Sequence, residues 1–271
     1  MNRTGLSIAL FVAAMIGLAF GLFPELDLKI SGLFFDPGTG QFTLRDRVRL
    51  GELTWPVNLR DASMWIVAAL AIVPAIALAA KCLLPGTRMR VPARAILFLL
   101  GSLALGPGLL VNSVLKEHWA RPRPVDVREF GGADRFVPWW DPRGDCPHNC
   151  SFVAGEASGA FWTLAPSALA PPPIRAFAYA AAVAFGAAVG ILRIAFGSHF
   201  FTDVAFAGVF TFLIVWIVHA VFYRWPRAAL LDSLIERAIE RAFRPANAAL
   251  LRFFARRSGR APRAGPHPGG T

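Results

Sequence analysis

Fourteen residues, Gly190 to Asp203, concentrate the chemistry of this chain between two long apolar runs. Within them Arg193, His199 and Asp203 follow the spacing Arg-x5-His-x3-Asp. If the chain is helical from Phe200 onward, His199 and Asp203 are four apart and share a face. The carboxylate then fixes the imidazole tautomer through one ring nitrogen and leaves the other free to attack. A helix N-terminus disfavours imidazolium and keeps that nitrogen unprotonated. Gly197 allows the turn that brings Arg193 round to the same pocket. Singly, each residue also fits a polar loop between two membrane helices. Together they describe a site that handles a phosphoryl group.

Two further stretches supply partners. Lys116-Glu-His-Trp-Ala-Arg-Pro-Arg-Pro124 separates Lys116 from Arg123 by six residues, and two cations so placed suit the non-bridging oxygens of a phosphate. Pro122 and Pro124 stop the helix, so Arg121 and Arg123 become rigid loop residues. On its own this stretch also reads as an ordinary basic helix end at a membrane interface. Cys150-Ser-Phe-Val-Ala-Gly-Glu-Ala-Ser158 opens another helix. Small residues around Gly155 let backbone N–H groups approach an anion there. Glu156 is an ionisable side chain starting a membrane helix, which makes it a functional candidate by default. An N-terminal cap is its other reading.

The elements that must hold these residues are membrane spans. The 271 residues are 55% hydrophobic with a mean hydropathy of +0.50, which excludes an ordinary soluble domain. Six apolar stretches approach bilayer length: Leu6–Phe23, Ala62–Ala80, Ala95–Leu115, Gly155–Ala170, Ile174–Leu192 and Val204–Tyr223. The first is read as a retained helix, because it lacks the cleavage site of a signal peptide. The fourth is the shortest. Pro74 is tolerable as a kink in lipid, and Gly101, Gly106 and Gly108 permit close packing of the third helix.

The net charge of +11 is distributed as in a membrane protein, not a nucleic-acid binder. Lys81 to Arg94 has four basic residues and no acids, and Arg224 to the end has ten Arg against three acids. The segments Glu25–Asp61 and Lys116–Ala154 are nearly balanced. Basic loops stay in the cytoplasm, so both termini and the 81–94 loop go inside and the site faces out. The outward segment 24–61 reads equally as a cap over the site or a plain loop. The loop Val125–Asn149 holds Phe136, Trp139 and Trp140, which serve either as interfacial anchors or as a lid packed on its own aromatics. Cys146 and Cys150 lie in an outward loop where a disulfide is permitted, and the bridge is left open. With His148 they lack a second half-site for a metal, and none is expected. His219 reads as a packed histidine. The apolar spacing of Ala228–Arg257 reads as an amphipathic helix on the inner leaflet, suited to anionic lipids, and the Pro/Gly-rich end from Gly259 as a solvated tail.

With these motifs in view, the sequence resembles the type 2 phosphatidic acid phosphatase (PAP2) superfamily, which includes vanadium haloperoxidases. The family pattern is Lys-x6-Arg-Pro, Pro-Ser-Gly-His and Ser-Arg-x5-His-x3-Asp. Lys116, Arg123 and Pro124 meet the first, and Arg193, His199 and Asp203 meet the third, with Leu192 in place of serine. In the second, Val153-Ala154-Gly155-Glu156 replaces Pro-Ser-Gly-His, so Glu156 stands where the family has its general-acid histidine. It either carries a proton for the leaving group, or pairs with Arg121 or Lys116 as structure, or marks a dead or altered site.

The resemblance implies an all-α polytopic fold, a six-transmembrane helix bundle over residues 1–223 with its motif core at 112–208, and a basic cytoplasmic tail at 224–271. It implies a phosphatase of the inner membrane acting on lipid A, undecaprenyl diphosphate or phosphatidylglycerol phosphate at its outer face. Lys116, Arg123, Arg193 and Gly155 would hold the phosphate. His199 would form a phosphohistidine, Asp203 would orient it, and no cofactor is needed because the cations neutralise the charge. The alternatives are a non-catalytic lipid-phosphate binder or transporter, and a haloperoxidase, against which six spans count.

Overall fold

The computed structural model describes residues 1–84, 91–224 and 228–257. The middle of the basic 81–94 loop and the Pro/Gly-rich end from Gly259 lie outside the described residues. Helix α1, Arg3–Leu22, begins at Asn2, whose side-chain oxygen accepts the Gly5 N–H at 2.9 Å. Then come α2 (Glu25–Gly32), a short hairpin of β1 (Phe35–Asp36) and β2 (Gln41–Phe42), and α3 (Thr43–Arg49). This segment is the cap, not a plain loop. Phe42 is 2% exposed and its ring lies against Gly197, where a Cβ would come within 2.4 Å of it. With φ at +64°, Gly197 is also in the backbone region that favours glycine.

Helix α4 is Trp55–Leu83, with Pro74 inside it, and α5 is Ala93–His118. From Ala104 to Leu115, α5 is wound as a π-helix around Pro107, which has no N–H to give to the helical ladder. The Asn112 side chain donates instead to the Pro107 carbonyl at 2.6 Å. The last turn of α5 carries Lys116 to the outer end. Helices α6 (Gly155–Phe161), α7 (Leu164–Leu169), α8 (Pro172–Ala195), α9 (Phe201–Tyr223) and α10 (Ala228–Arg257) follow among the described residues.

Among the described residues five helices are long and apolar enough to cross a membrane: α1, α4, α5, α8 and α9. The fourth expected crossing, Gly155–Ala170, is broken at Trp162–Thr163 into α6 and α7. Broken as it is, this stretch still runs antiparallel along α8, with Glu156 beside Arg193 and Ser167 donating to the Ala178 carbonyl at 3.1 Å, and so returns the chain from the outer to the inner end. Its apolar side chains are covered largely by protein. Ala157, Trp162 and Ala165 are fully buried, with α6 packed between α8 and α9.

The passes alternate, so the connections sort to two ends. Arg224 donates to the Met1 carbonyl at 2.5 Å and Trp216 to that of Asn2 at 3.2 Å, which joins the N-terminus to the end of α9. Helix α10 docks at the same end through Lys81–Glu240 (2.7 Å) and Arg94–Asp232 (3.3 Å). It is thus held to the ends of α4 and α5 by its acids. The opposite end carries the cap, residues 119–154 and the turn 196–200. There Trp119 donates to the Trp139 carbonyl at 2.8 Å, and Trp139 stacks on Phe206 at 4.3 Å. Trp139 is therefore part of a packed lid, while Trp140, 49% exposed, points away.

Candidate active site

The three motifs meet at Ser151, a residue to which the sequence reading assigned no part. Its N–H donates to the Arg121 carbonyl at 2.8 Å, and the neighbouring Cys150 N–H to the Lys116 carbonyl at 2.9 Å. These two bonds pin the second motif to the first. The Ser151 carbonyl lies 2.7 Å from His199 Nδ1 and its hydroxyl donates to Asp203 Oδ2 at 2.5 Å, which pins both to the third. A carbonyl can only accept, so His199 carries its proton on Nδ1 and Nε2 is left with the lone pair. Asp203 Oδ2 lies 3.8 Å from Nδ1, beyond hydrogen-bonding distance. The expected direct carboxylate–imidazole bond is thus replaced by one through the backbone of Ser151.

Asp203 is fully buried and its other bonds are structural. As the third residue of α9 it accepts the Phe200 N–H at 2.7 Å, and Arg121 Nη1 reaches it at 2.6 Å. Arg121 in turn donates to Asp27 Oδ2 at 2.8 Å and to the Val137 carbonyl at 3.1 Å, with its guanidinium 4.4 Å from the Phe200 ring. Asp27 also accepts the Thr202 N–H at 3.0 Å, a second cap on α9. Burial works against the charge on Arg121, but Asp203 and Asp27 outweigh it and push its pKa further up. Arg121 is therefore a buried brace under the nucleophile and not the partner of Glu156.

That partner is Arg60, near the start of α4. Its Nε lies 3.0 and 3.1 Å from the two Glu156 oxygens, and its Nη2 lies 2.9 Å from Oε1. Arg193 Nε is 3.4 Å from Glu156 Oε2, and it is buried without a hydrogen-bond partner among the described residues. Arg123 is turned by Nη2 donating to the Asn149 carbonyl at 2.7 Å. Asn149 belongs to the turn that the Cys146–Cys150 disulfide closes, so the bridge left open above is formed. Gly155 starts α6, where a Cβ would sit 2.7 Å from Asn112 Oδ1 and 3.4 Å from Lys116 Nζ. Lys116 feels the charges of Arg123, Glu156 and Arg193. Lys116, Arg123, Arg193, Gly155 and Glu156 are thus brought together beside His199.

Burial pushes the His199 imidazole down; Asp203 opposes this, and Arg193 and Lys116 add to it. A neutral, singly protonated imidazole under a group of cations can attack an anionic phosphorus centre whose charge those cations hold. Among the described residues, no group of three or more His, Cys, Asp or Glu side chains is placed to hold a metal ion. Asp27 and Arg60 escaped the sequence reading because their partners lie 94 and 96 residues away. The one available signal for Arg60 was an ionisable side chain at the mouth of a membrane helix.

A model described as the PAP2 superfamily matches residues 95–227. A lipid A 4'-phosphatase of Francisella tularensis subsp. novicida (strain U112) is 35% identical over 226 residues, 83% of this chain and 98% of that protein. A lipid A 4'-phosphatase of Rhizobium leguminosarum is 44% identical over 105 residues, 39% of this chain and 45% of that protein. A third, from Rhizobium etli, is also 44% identical over 105 residues, with 41% of its length covered. No solved structure matches this chain.

Proposed function

Because this chain belongs to the PAP2 superfamily, we propose that it is an integral-membrane lipid phosphatase that removes a phosphate from lipid A through a phosphohistidine. The observation that carries the chemistry is the Ser151 carbonyl on His199 Nδ1, which leaves Nε2 as the nucleophile beside the cations. The lipid A reading is supported by the names of the relatives, one of them similar along 83% of the chain. Lys116, Arg123 and Arg193 hold the phosphoryl oxygens, and Gly155 lets backbone approach them. Nε2 forms a bond to phosphorus as the bond to the leaving oxygen breaks. Water then attacks phosphorus, the P–N bond breaks and inorganic phosphate leaves.

Glu156 is the proton carrier for the leaving oxygen. Paired with Arg60 and Arg193 it is a carboxylate in the empty site, since an arginine fork favours the charged form. It gains a proton when a phosphate arrives, because two anions side by side raise each other's proton affinity. A phosphate monoester, with its second ionisation near pH 6, brings that proton in with it.

The protein is placed in the inner membrane with the site on the periplasmic side and both termini in the cytoplasm. The balanced charge of the cap and of 116–154, the basic opposite end and the disulfide at the site support this orientation. The acids Asp232 and Glu240 face the protein, which leaves the exposed Arg241 and Arg244 for anionic inner-leaflet lipids.

The test is a trapping experiment on purified protein in detergent with 4'-phosphorylated lipid A carrying labelled phosphate. Wild type should release phosphate and, after rapid acid-free quenching, retain label on histidine. His199→Ala should do neither. Phosphate release by His199→Ala at the wild-type rate would sink the mechanism.

A further inference from the structure

Arg60 lies on α4, outside the segment 95–227 that the family model matches, and the chemistry above uses it only as a partner that keeps Glu156 charged in the empty site. We propose that Arg60 is a positioning residue of this phosphatase, which holds the Glu156 carboxylate away from Arg193 and so keeps the phosphate seat open. The inference rests on the phosphatase reading.

The geometry is that of a competition. Glu156 is an anion placed within the group of cations that must receive another anion. Its Oε1 takes two donors from Arg60, at 2.9 and 3.0 Å, while Oε2 shares Arg60 Nε at 3.1 Å and stands 3.4 Å from Arg193 Nε. The Arg60 bonds are made. The approach to Arg193 falls short of one, so the Arg193 Nε–H remains unspent and buried. Without Arg60, the nearest strong donor to Glu156 is that same N–H. A carboxylate that closes on it takes the place of a phosphoryl oxygen, and between side chains only 13% and 18% exposed the pair is hard to displace. Arg60 is well suited to prevent this. Its side chain is 42% exposed against 18% for Glu156, so the fork holds the carboxylate from the rim of the site and not from its floor.

Arg60 also sets how readily Glu156 takes a proton. In the bound complex the proton moves from the phosphate monoanion to Glu156. It passes to the leaving oxygen as the P–O bond breaks and the Nε2–P bond forms. The attacking water later returns a proton to Glu156 as the P–N bond breaks, so the cycle closes without another donor. A neighbouring guanidinium makes the protonated acid harder to form. Removal of Arg60 therefore lets Glu156 keep its proton to higher pH, and the basic limb of kcat moves upward.

The experiment is a double-mutant cycle on the full chain, with an aryl phosphate and a lipid phosphate monoester as substrates. Arg60→Ala should raise KM about tenfold on both and change kcat much less; with the lipid monoester, whose leaving oxygen needs the proton, it should also move the basic limb of kcat upward. In a Glu156→Gln background the competing anion is absent, so Arg60→Ala should leave KM within about twofold. Arg60→Lys should recover part of the lost affinity. Calorimetric binding of inorganic phosphate gives the same comparison without turnover. An equal rise of KM in both backgrounds, or no rise in either, would overturn the inference. If Arg60→Ala does not melt as a folded protein, Arg60→Gln keeps the stem and removes the charge, and its cycle decides. Wild type that releases phosphate from neither substrate would defeat the phosphatase reading itself, which is a different outcome from additivity in the cycle.

Discussion

His199 Nδ1 meets the Ser151 carbonyl at 2.7 Å, and the hydroxyl of the same serine meets Asp203 at 2.5 Å. The imidazole is therefore oriented by a backbone group whose own position Asp203 holds. This differs from a carboxylate bonded directly to the ring nitrogen, as in the serine-protease arrangement. It makes Ser151 the link between the nucleophile and the carboxylate that orients it.

Ser151→Ala keeps the carbonyl and loses only the hydroxyl. One hydrogen bond to a charged acceptor contributes about 1.5–3 kcal/mol, so kcat should fall by about tenfold or somewhat more and the melt should drop, with KM little changed. Asp203→Asn should do more. It disturbs the Arg121 pair, the Ser151 bond and the Phe200 cap together, and breaking a buried charge pair costs about 3–5 kcal/mol. A Ser151→Ala enzyme with wild-type kcat would show that Asp203 acts on His199 by some other route.

The depressed pKa of His199 has a sign that kinetics can read. The ring attacks only when neutral, so activity is present above its folded pKa and is lost as pH falls through it. Burial, followed by the smaller effects of Arg193 and Lys116 against Asp203, places that value below the ordinary 6.5. With an aryl phosphate, which needs no proton on its leaving group, the acid limb of kcat/KM should lie below pH 6.5. Lys116→Met removes one of the cations that push the ring down, so the limb should move upward as substrate affinity falls. A wild-type limb at or above 6.5 contradicts the neutral nucleophile.

The residues legible in the sequence are those whose geometry is local. Arg193, His199 and Asp203 end one helix and begin the next, so spacing alone carried them to one place. Lys116 and Arg123 were legible because the prolines after Arg121 stop the chain there. The braces were not legible. Asp27 caps Thr202 from 175 residues away, and Arg60 meets Glu156 across 96, and neither distance leaves a periodic trace. The break in the fourth pass left no trace for a similar reason. The residues from Gly155 to Ala170 are apolar enough to suggest one continuous helix, and their cover by α8 and α9 gives the same composition whether or not the helix is interrupted at Trp162–Thr163. Arg121 was legible only as a rigid loop residue, because a basic side chain next to two prolines gives no sign that two acids await it.

The disulfide from Cys146 to Cys150 closes the turn that presents the Asn149 carbonyl to Arg123 and immediately precedes Ser151. The Cys146 N–H is itself tied to the Ala120 carbonyl at 3.2 Å and the Cys150 N–H to that of Lys116 at 2.9 Å. A loop this short is constrained in the unfolded chain by roughly 2 kcal/mol on the chain-entropy account, a modest share of the stability of a membrane bundle. The effect on the site is more specific. Reduction frees Asn149, whose φ of +50° is one that non-glycine residues seldom adopt unaided, and Arg123 loses the carbonyl that turns it. Ser151 keeps its own bonds to Arg121 and Asp203, so the nucleophile should stay in place. Reductant, or the pair Cys146→Ser and Cys150→Ser, should therefore raise KM several-fold through Arg123 while kcat changes less than twofold. A free Cys82 is present in both forms, so the double substitution separates its chemistry from that of the bridge. A fall in kcat at constant KM would mean that the bridge supports Ser151 and His199 instead of Arg123.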